Sequence, residues 1–93
     1  MYTVLVDDNA HHQDEAERYE HGRFASYDEA VAACQQIVDA YLARQYLRGM
    51  AADDLFRLYT TFGEDPFIRP EYGGHRFSAW EYARLRCELL CAR

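Results

Sequence analysis

Ninety-three residues suffice for one domain with one small core, because a chain this short hides only about 60–65% of the surface it exposes when unfolded. A hydrophobic content of 49% beside 28% charged residues excludes a disordered composition. A net charge of −6 with dispersed arginines excludes a phosphate-binding stripe, so no nucleic-acid partner is expected.

The excess charge is local. Residues 1–30 hold eight acids and two arginines, a net of −6, whereas residues 31–93 hold eight of each and balance. Apolar runs such as Ala30-Val31-Ala32-Ala33-Cys34 fall far short of the roughly 20 residues of a membrane span. No basic region precedes Tyr2, so neither a membrane partner nor a secretory signal is expected, and the chain reads as cytoplasmic. Cys34, Cys87 and Cys91 are an odd set without framework spacing, which fits a reducing compartment.

In chain order, Tyr2-Thr3-Val4-Leu5-Val6 is β-branched and aromatic and predicts a strand. It runs into Asp7-Asp8-Asn9, whose side chains favour a turn. Residues 18–24 predict a second strand, interrupted by Gly22, and the two pair as a hairpin with a long loop. Ser26-Tyr27-Asp28-Glu29 has the pattern of a capping box, in which the serine caps an amide and the glutamate reaches back. Ala30, Cys34, Ile37, Val38, Tyr41 and Leu42 then recur at spacings of three and four, the stripe of an amphipathic helix. Arg44 and Arg48 suit its last turns, and Gly49 its stop.

A shorter helix is predicted over about residues 52–62, with Leu55, Leu58, Tyr59 and Phe62 as its stripe, closed by Gly63 and Pro66. Residues 67–69 predict a short third strand between Pro66 and Pro70, followed by a loop around Gly73-Gly74. Ser78-Ala79-Trp80-Glu81 is a second capping box. Phe77 before it and Tyr82 after it are placed as a hydrophobic staple. Trp80, Ala83, Cys87, Leu90 and Cys91 share one face of this last helix. The expected fold is α+β: a small antiparallel sheet, built from an N-terminal hairpin and a short third strand, with three helices on one face.

Tyr2-Thr3-Val4-Leu5-Val6-Asp7-Asp8-Asn9, Glu17-Arg18-Tyr19, Phe62-Gly63-Glu64-Asp65-Pro66-Phe67-Ile68 and Phe77-Ser78-Ala79-Trp80-Glu81-Tyr82-Ala83 together resemble a family of short uncharacterised bacterial proteins. The resemblance covers nearly the whole chain. It implies the same fold and carries no activity, substrate or cofactor. One departure is Ala51, where the pattern would place a capping threonine; its loss weakens a helix start by about 1 kcal/mol.

Residues 7–17 concentrate oxygen and imidazole groups. Asp7, Asp8, His11, His12, Asp14 and Glu15 are therefore the candidate ligands for a divalent ion. The spacing departs from an EF-hand, because counting from Asp7 puts His12 at the glycine position and Arg18 at the bidentate glutamate position. The favoured alternative is an acidic, solvated hairpin loop. Cys87 and Cys91, one turn apart, could share a metal with His75, but buried cysteine ordinarily behaves as a small hydrophobe. Gly73-Gly74-His75-Arg76 lacks the lysine of a phosphate loop. No complete catalytic set and no cofactor motif is present.

Fourteen aromatics include eight tyrosines, a residue enriched in interfaces. The expectation is thus a non-catalytic domain that contacts a protein partner or a second copy of itself. Tyr59, Phe67, Ile68 and Tyr72 are the candidate interface residues, with the third strand as an edge open to pairing. The alternative is a metal- or small-ligand-binding protein centred on loop 7–17.

Overall fold

Val4 and Val6 alternate with the more exposed Thr3, Leu5 and Asp7 along β1 (Tyr2–Asp8), as a strand with one covered face requires. The structure, a computed structural model, describes residues 1–11, 18–70 and 76–92, and of His11 only the backbone. After β1 come a 3₁₀ turn (Asn9–His11), β2 (Tyr19–Phe24), α1 (Tyr27–Gln45), α2 (Ala52–Phe62), β3 (Glu64–Arg69) and α3 (Ala79–Cys91). The sheet is antiparallel with the order β2-β1-β3. This is the expected small α+β fold.

β3 is longer than the sequence suggests. It starts at Glu64 and takes in Pro66, which lies opposite Val6. A proline is tolerated there because an edge strand needs ladder donors on one side only. β1 and β2 shift register between Val4 and Leu5, so that Val4 faces Gly22 and Leu5 faces Glu20, leaving His21 as an extra residue. The bulge accounts for the weak strand pattern around Gly22.

The serine half of each predicted capping box forms. The Ser26 hydroxyl accepts from the Glu29 N–H at 3.1 Å, and the Ser78 hydroxyl from the Glu81 N–H at 3.2 Å. The staple closes as well, with the Phe77 and Tyr82 rings 6.2 Å apart. Ala51 precedes α2 with no side-chain cap bond. α1, however, ends at Gln45, where Tyr46 turns extended and its N–H still reaches the Leu42 carbonyl at 2.9 Å. Gly49 serves a separate turn instead. There the Met50 N–H donates to the Leu47 carbonyl, and Gly49 has φ +87°, a left-handed value that favours glycine.

Two clusters make up the interior, and α1 joins them. Its first half sets Ala30, Ala33 and Cys34 on Val4, Val6 and Ile68 of the sheet. Its second half sets Val38, Tyr41 and Leu42 against Leu55 and Tyr59 of α2 and Ala79, Ala83 and Cys87 of α3. Asp39 ties α1 to α3, accepting from the Tyr82 hydroxyl at 2.9 Å and from Arg86 Nε at 3.2 Å. Burial pushes the Cys34 thiol up to about 12 and the Cys87 thiol up to about 11. Both are therefore neutral core groups at pH 7 rather than nucleophiles.

Candidate functional site

The end of β1, the start of β3 and the first turn of α3 meet around Asn9. The Asn9 side chain is buried and satisfied on both ends. Its amide donates to the Tyr59 carbonyl at 2.8 Å, and its oxygen accepts from Trp80 Nε1 at 3.2 Å. Its backbone N–H donates to the Gly63 carbonyl at 2.9 Å. Gly63 has to be small at this point, because a Cβ would lie 2.7 Å from both the Tyr59 ring and the Tyr59 carbonyl. One asparagine thus holds the end of α2, the entry to β3 and the start of α3 together, and it orients the Trp80 indole.

Trp80 was expected on the apolar face of α3. Its ring instead meets the Phe56 ring edge-on at 6.4 Å while remaining 43% exposed. Phe62, the last residue of α2, is 63% exposed. With Asp7, Asn9 and Asp65, these two rings line a cleft of about 590 Å³. An adjoining cleft of about 610 Å³ shares Asp7, Asp65 and Trp80 and adds Arg18, Arg69 and Arg76.

Asp7 and Asp65 face each other across the β1–β3 ladder. They are differently placed. Arg18 grips Asp7, with Nε at 2.6 Å from Oδ1 and Nη2 at 3.2 Å from Oδ2. Asp65 is desolvated, and this burial, reinforced by the Asp7 charge and opposed by Arg76, pushes its carboxyl up to about 6. At pH 7 Asp65 is mostly ionised, yet ionised at a cost. Removing that cost gives a first expected result: Asp65→Asn stabilises the fold at pH 7. Holding a carboxylate near 6 rather than at its ordinary value corresponds to about 3 kcal/mol, and solvent screening at this partly exposed group leaves about 1–2 kcal/mol. The sign follows from the raised value. Wild-type stability falls as the pH rises from about 4 through 6, because the folded carboxyl must give up its proton there. The variant lacks this slope, so its advantage vanishes below about pH 4. Urea midpoints measured across this range would show the two curves converging in acid.

The residues singled out from sequence divide clearly. Among the proposed metal ligands, Asp7 is taken by Arg18, and Asp8 accepts the Ala10 N–H at 2.8 Å. The backbone of His11 lies in the 3₁₀ turn, while His12, Asp14 and Glu15 lie outside the described residues. Among the described residues no three His, Cys, Asp or Glu side chains come together to hold a metal ion. His75 too lies outside the described residues, and so does Tyr72.

Two proposed interface residues need correcting. Tyr59 and Ile68 are buried at 0% and 5% exposure. Tyr59 closes the three-helix core, and Ile68 lies opposite Val4 under α1. Neither side chain can meet a partner while the domain is folded. Phe67 points the other way and is half-buried, with the Arg18 and Arg69 guanidiniums 4.9 Å and 5.3 Å from its ring centre. The pattern of α2 alone did not mark Phe62 as exposed, because it shares a stripe with Leu55 and Tyr59. Asn9 reads as a turn residue, and nothing in the local sequence of Asn9 or Asp65 signals burial.

Searches against family models, curated proteins and solved structures found no match to this chain. No helix among the described residues is long and apolar enough to cross a membrane.

Proposed function

We propose that this chain is a non-catalytic interaction domain whose cleft between Phe62 and Trp80 receives a basic side chain of a protein partner. The observation that supports this is the pairing of two exposed aromatic rings with Asp65 in one cleft, whose lining among the described residues includes no cation. A lysine or arginine has an apolar stem that suits Phe62 and a charged head that suits a carboxylate and an indole face. Asp7 is gripped by Arg18, whereas the Arg76 charge offsets only part of the burial of Asp65, so Asp65 has more to gain. An incoming cation offsets the desolvation that raises its pKa. Exposed tryptophan backed by a rigid second ring, here Phe56, is also a common anchor of protein contacts. The metal reading of loop 7–17 draws no support from its described part, where Asp7 and Asp8 are already engaged.

The test is a nuclear magnetic resonance titration of the labelled protein with short lysine- and arginine-containing peptides, matched to acidic controls. The basic peptides should shift the Trp80 indole proton and the amides near Asp65, and Trp80→Ala should weaken binding by about tenfold. Binding should strengthen from about pH 5 to pH 7 as the Asp65 carboxyl ionises. Equal shifts with acidic and basic peptides, or none at the Trp80 indole, would rule the reading out.

A further inference from the structure

The sheet has two edges, and they are not alike. β3 carries Pro66, which has no N–H to offer, and its Pro66 and Phe67 line the cleft shared with the first turn of α3. β2 contains no proline, and among the described residues only β1 pairs with it. Tyr19, Glu20, His21 and Arg23 are exposed along β2, whereas Gly22 and Phe24 are partly covered. An edge of this kind is a template for another strand.

The pattern of β2 says which strand. The bulge at His21 puts Glu20 opposite Leu5 and Arg23 opposite Thr3, so both charges stand on the sheet face turned away from α1. Tyr19 and Phe24, opposite Val6 and Tyr2, stand together on the other face. Without the extra residue, strict alternation would send Glu20 and Arg23 to opposite faces. Laying a second copy of β2 antiparallel, with His21 beside Gly22, brings Glu20 of each strand opposite Arg23 of the other. The same register sets Tyr19 opposite Phe24. Both charge pairs then share one face and both aromatic pairs the other, which is the self-complementarity a two-fold axis demands. Within one chain the Arg23–Glu20 contact is long, 3.4 Å, and exposed, so little holds these side chains from a partner.

We infer that a second copy of this chain adds to β2 as an antiparallel strand, joining two three-stranded sheets into one across a two-fold axis. This surface is separate from the Phe62 and Trp80 cleft, so either can fail without the other.

The experiment is a charge exchange read by light scattering over a concentration series. The wild type should dimerise. Glu20→Arg and Arg23→Glu each put like charges opposite one another, and each should raise the dissociation constant by about tenfold or more. An equal mixture of the two variants should recover the dimer, because one strand then offers two arginines and the other two glutamates. The double exchange in one chain should recover it as well. Both positions are exposed, so melting temperatures should stay unchanged in dilute, monomeric samples. A wild type that stays monomeric at every concentration overturns the inference. A dimer indifferent to either single exchange, or single variants that are not rescued in the mixture, overturns it equally.

Discussion

Tyr59→Ala is expected to destabilise the domain by about 3–5 kcal/mol, the usual cost of removing a buried large side chain. That is a large share of the roughly 5–15 kcal/mol that holds a domain of this kind folded. Tyr59 is wholly buried where α1, α2 and α3 meet. Its ring meets the Tyr41 ring edge-on at 5.9 Å and stacks beside Phe56 at 6.5 Å. Its hydroxyl donates to the Glu64 carbonyl at 2.7 Å, joining α2 to the first residue of β3. Burial, the first of several causes, raises the phenol pKa, so the group stays a neutral donor across the range in which the protein would be studied. Tyr59→Phe separates the two roles. It keeps the ring, forfeits the hydrogen bond and should cost only about 1 kcal/mol. Urea unfolding followed by tryptophan fluorescence gives both numbers, with Trp80 as the natural probe because it packs on Phe56. If Tyr59→Ala instead left stability intact and changed only the mass in solution, Tyr59 would be an interface residue after all.

Asn9→Asp is expected to cost about 3 kcal/mol at pH 7, because a buried amide donor is replaced by an oxygen that faces a carbonyl. The change is nearly isosteric, so packing is preserved and the loss is electrostatic. The new carboxylate could still accept from Trp80 Nε1, but it would have nothing to donate to the Tyr59 carbonyl. It would also enter a neighbourhood that already holds Asp7 and Asp65. Both effects disfavour its charged form and raise its pKa. A raised carboxyl pKa destabilises the fold most at high pH and least in acid. The deficit relative to wild type should therefore shrink as the pH falls from about 7 to 4. A loss independent of pH would mean that Asn9 contributes shape alone. The Trp80 emission should also move in this variant, since Asn9 orients the indole.

The sequence by itself determined the elements, because each was written in local chemistry. Ser26 and Ser78 announce two helix starts, and each hydroxyl caps an amide three residues on with no help from distant residues. Phe77 and Tyr82 close their staple for the same reason. The β-branched and aromatic run from Tyr2 to Val6 marks β1 as a strand, and the spacing of Ala30, Cys34, Val38 and Leu42 marks the stripe of α1 that packs on the sheet in its first half and on α2 and α3 in its second. Local signals misplaced the ends of elements where one residue type serves two purposes. Gly49 marks a turn as readily as a helix end, and Pro66 fits an edge strand as readily as a break.

Tertiary structure alone decided the candidate site. Asn9 and Trp80 are far apart in the chain, and so are Asp7 and Asp65; no periodicity links them. Their meeting depends on β3 returning beside β1, and on α2 and α3 docking against the second half of α1. The same docking sorted the stripe of α2. Tyr59 falls where α1 and α3 both cover it, whereas Phe62, three residues later at the end of the helix, stays exposed beside Asp65. Burial is a property of what packs against a residue, and a stripe read along one helix carries no information about where its neighbours stop.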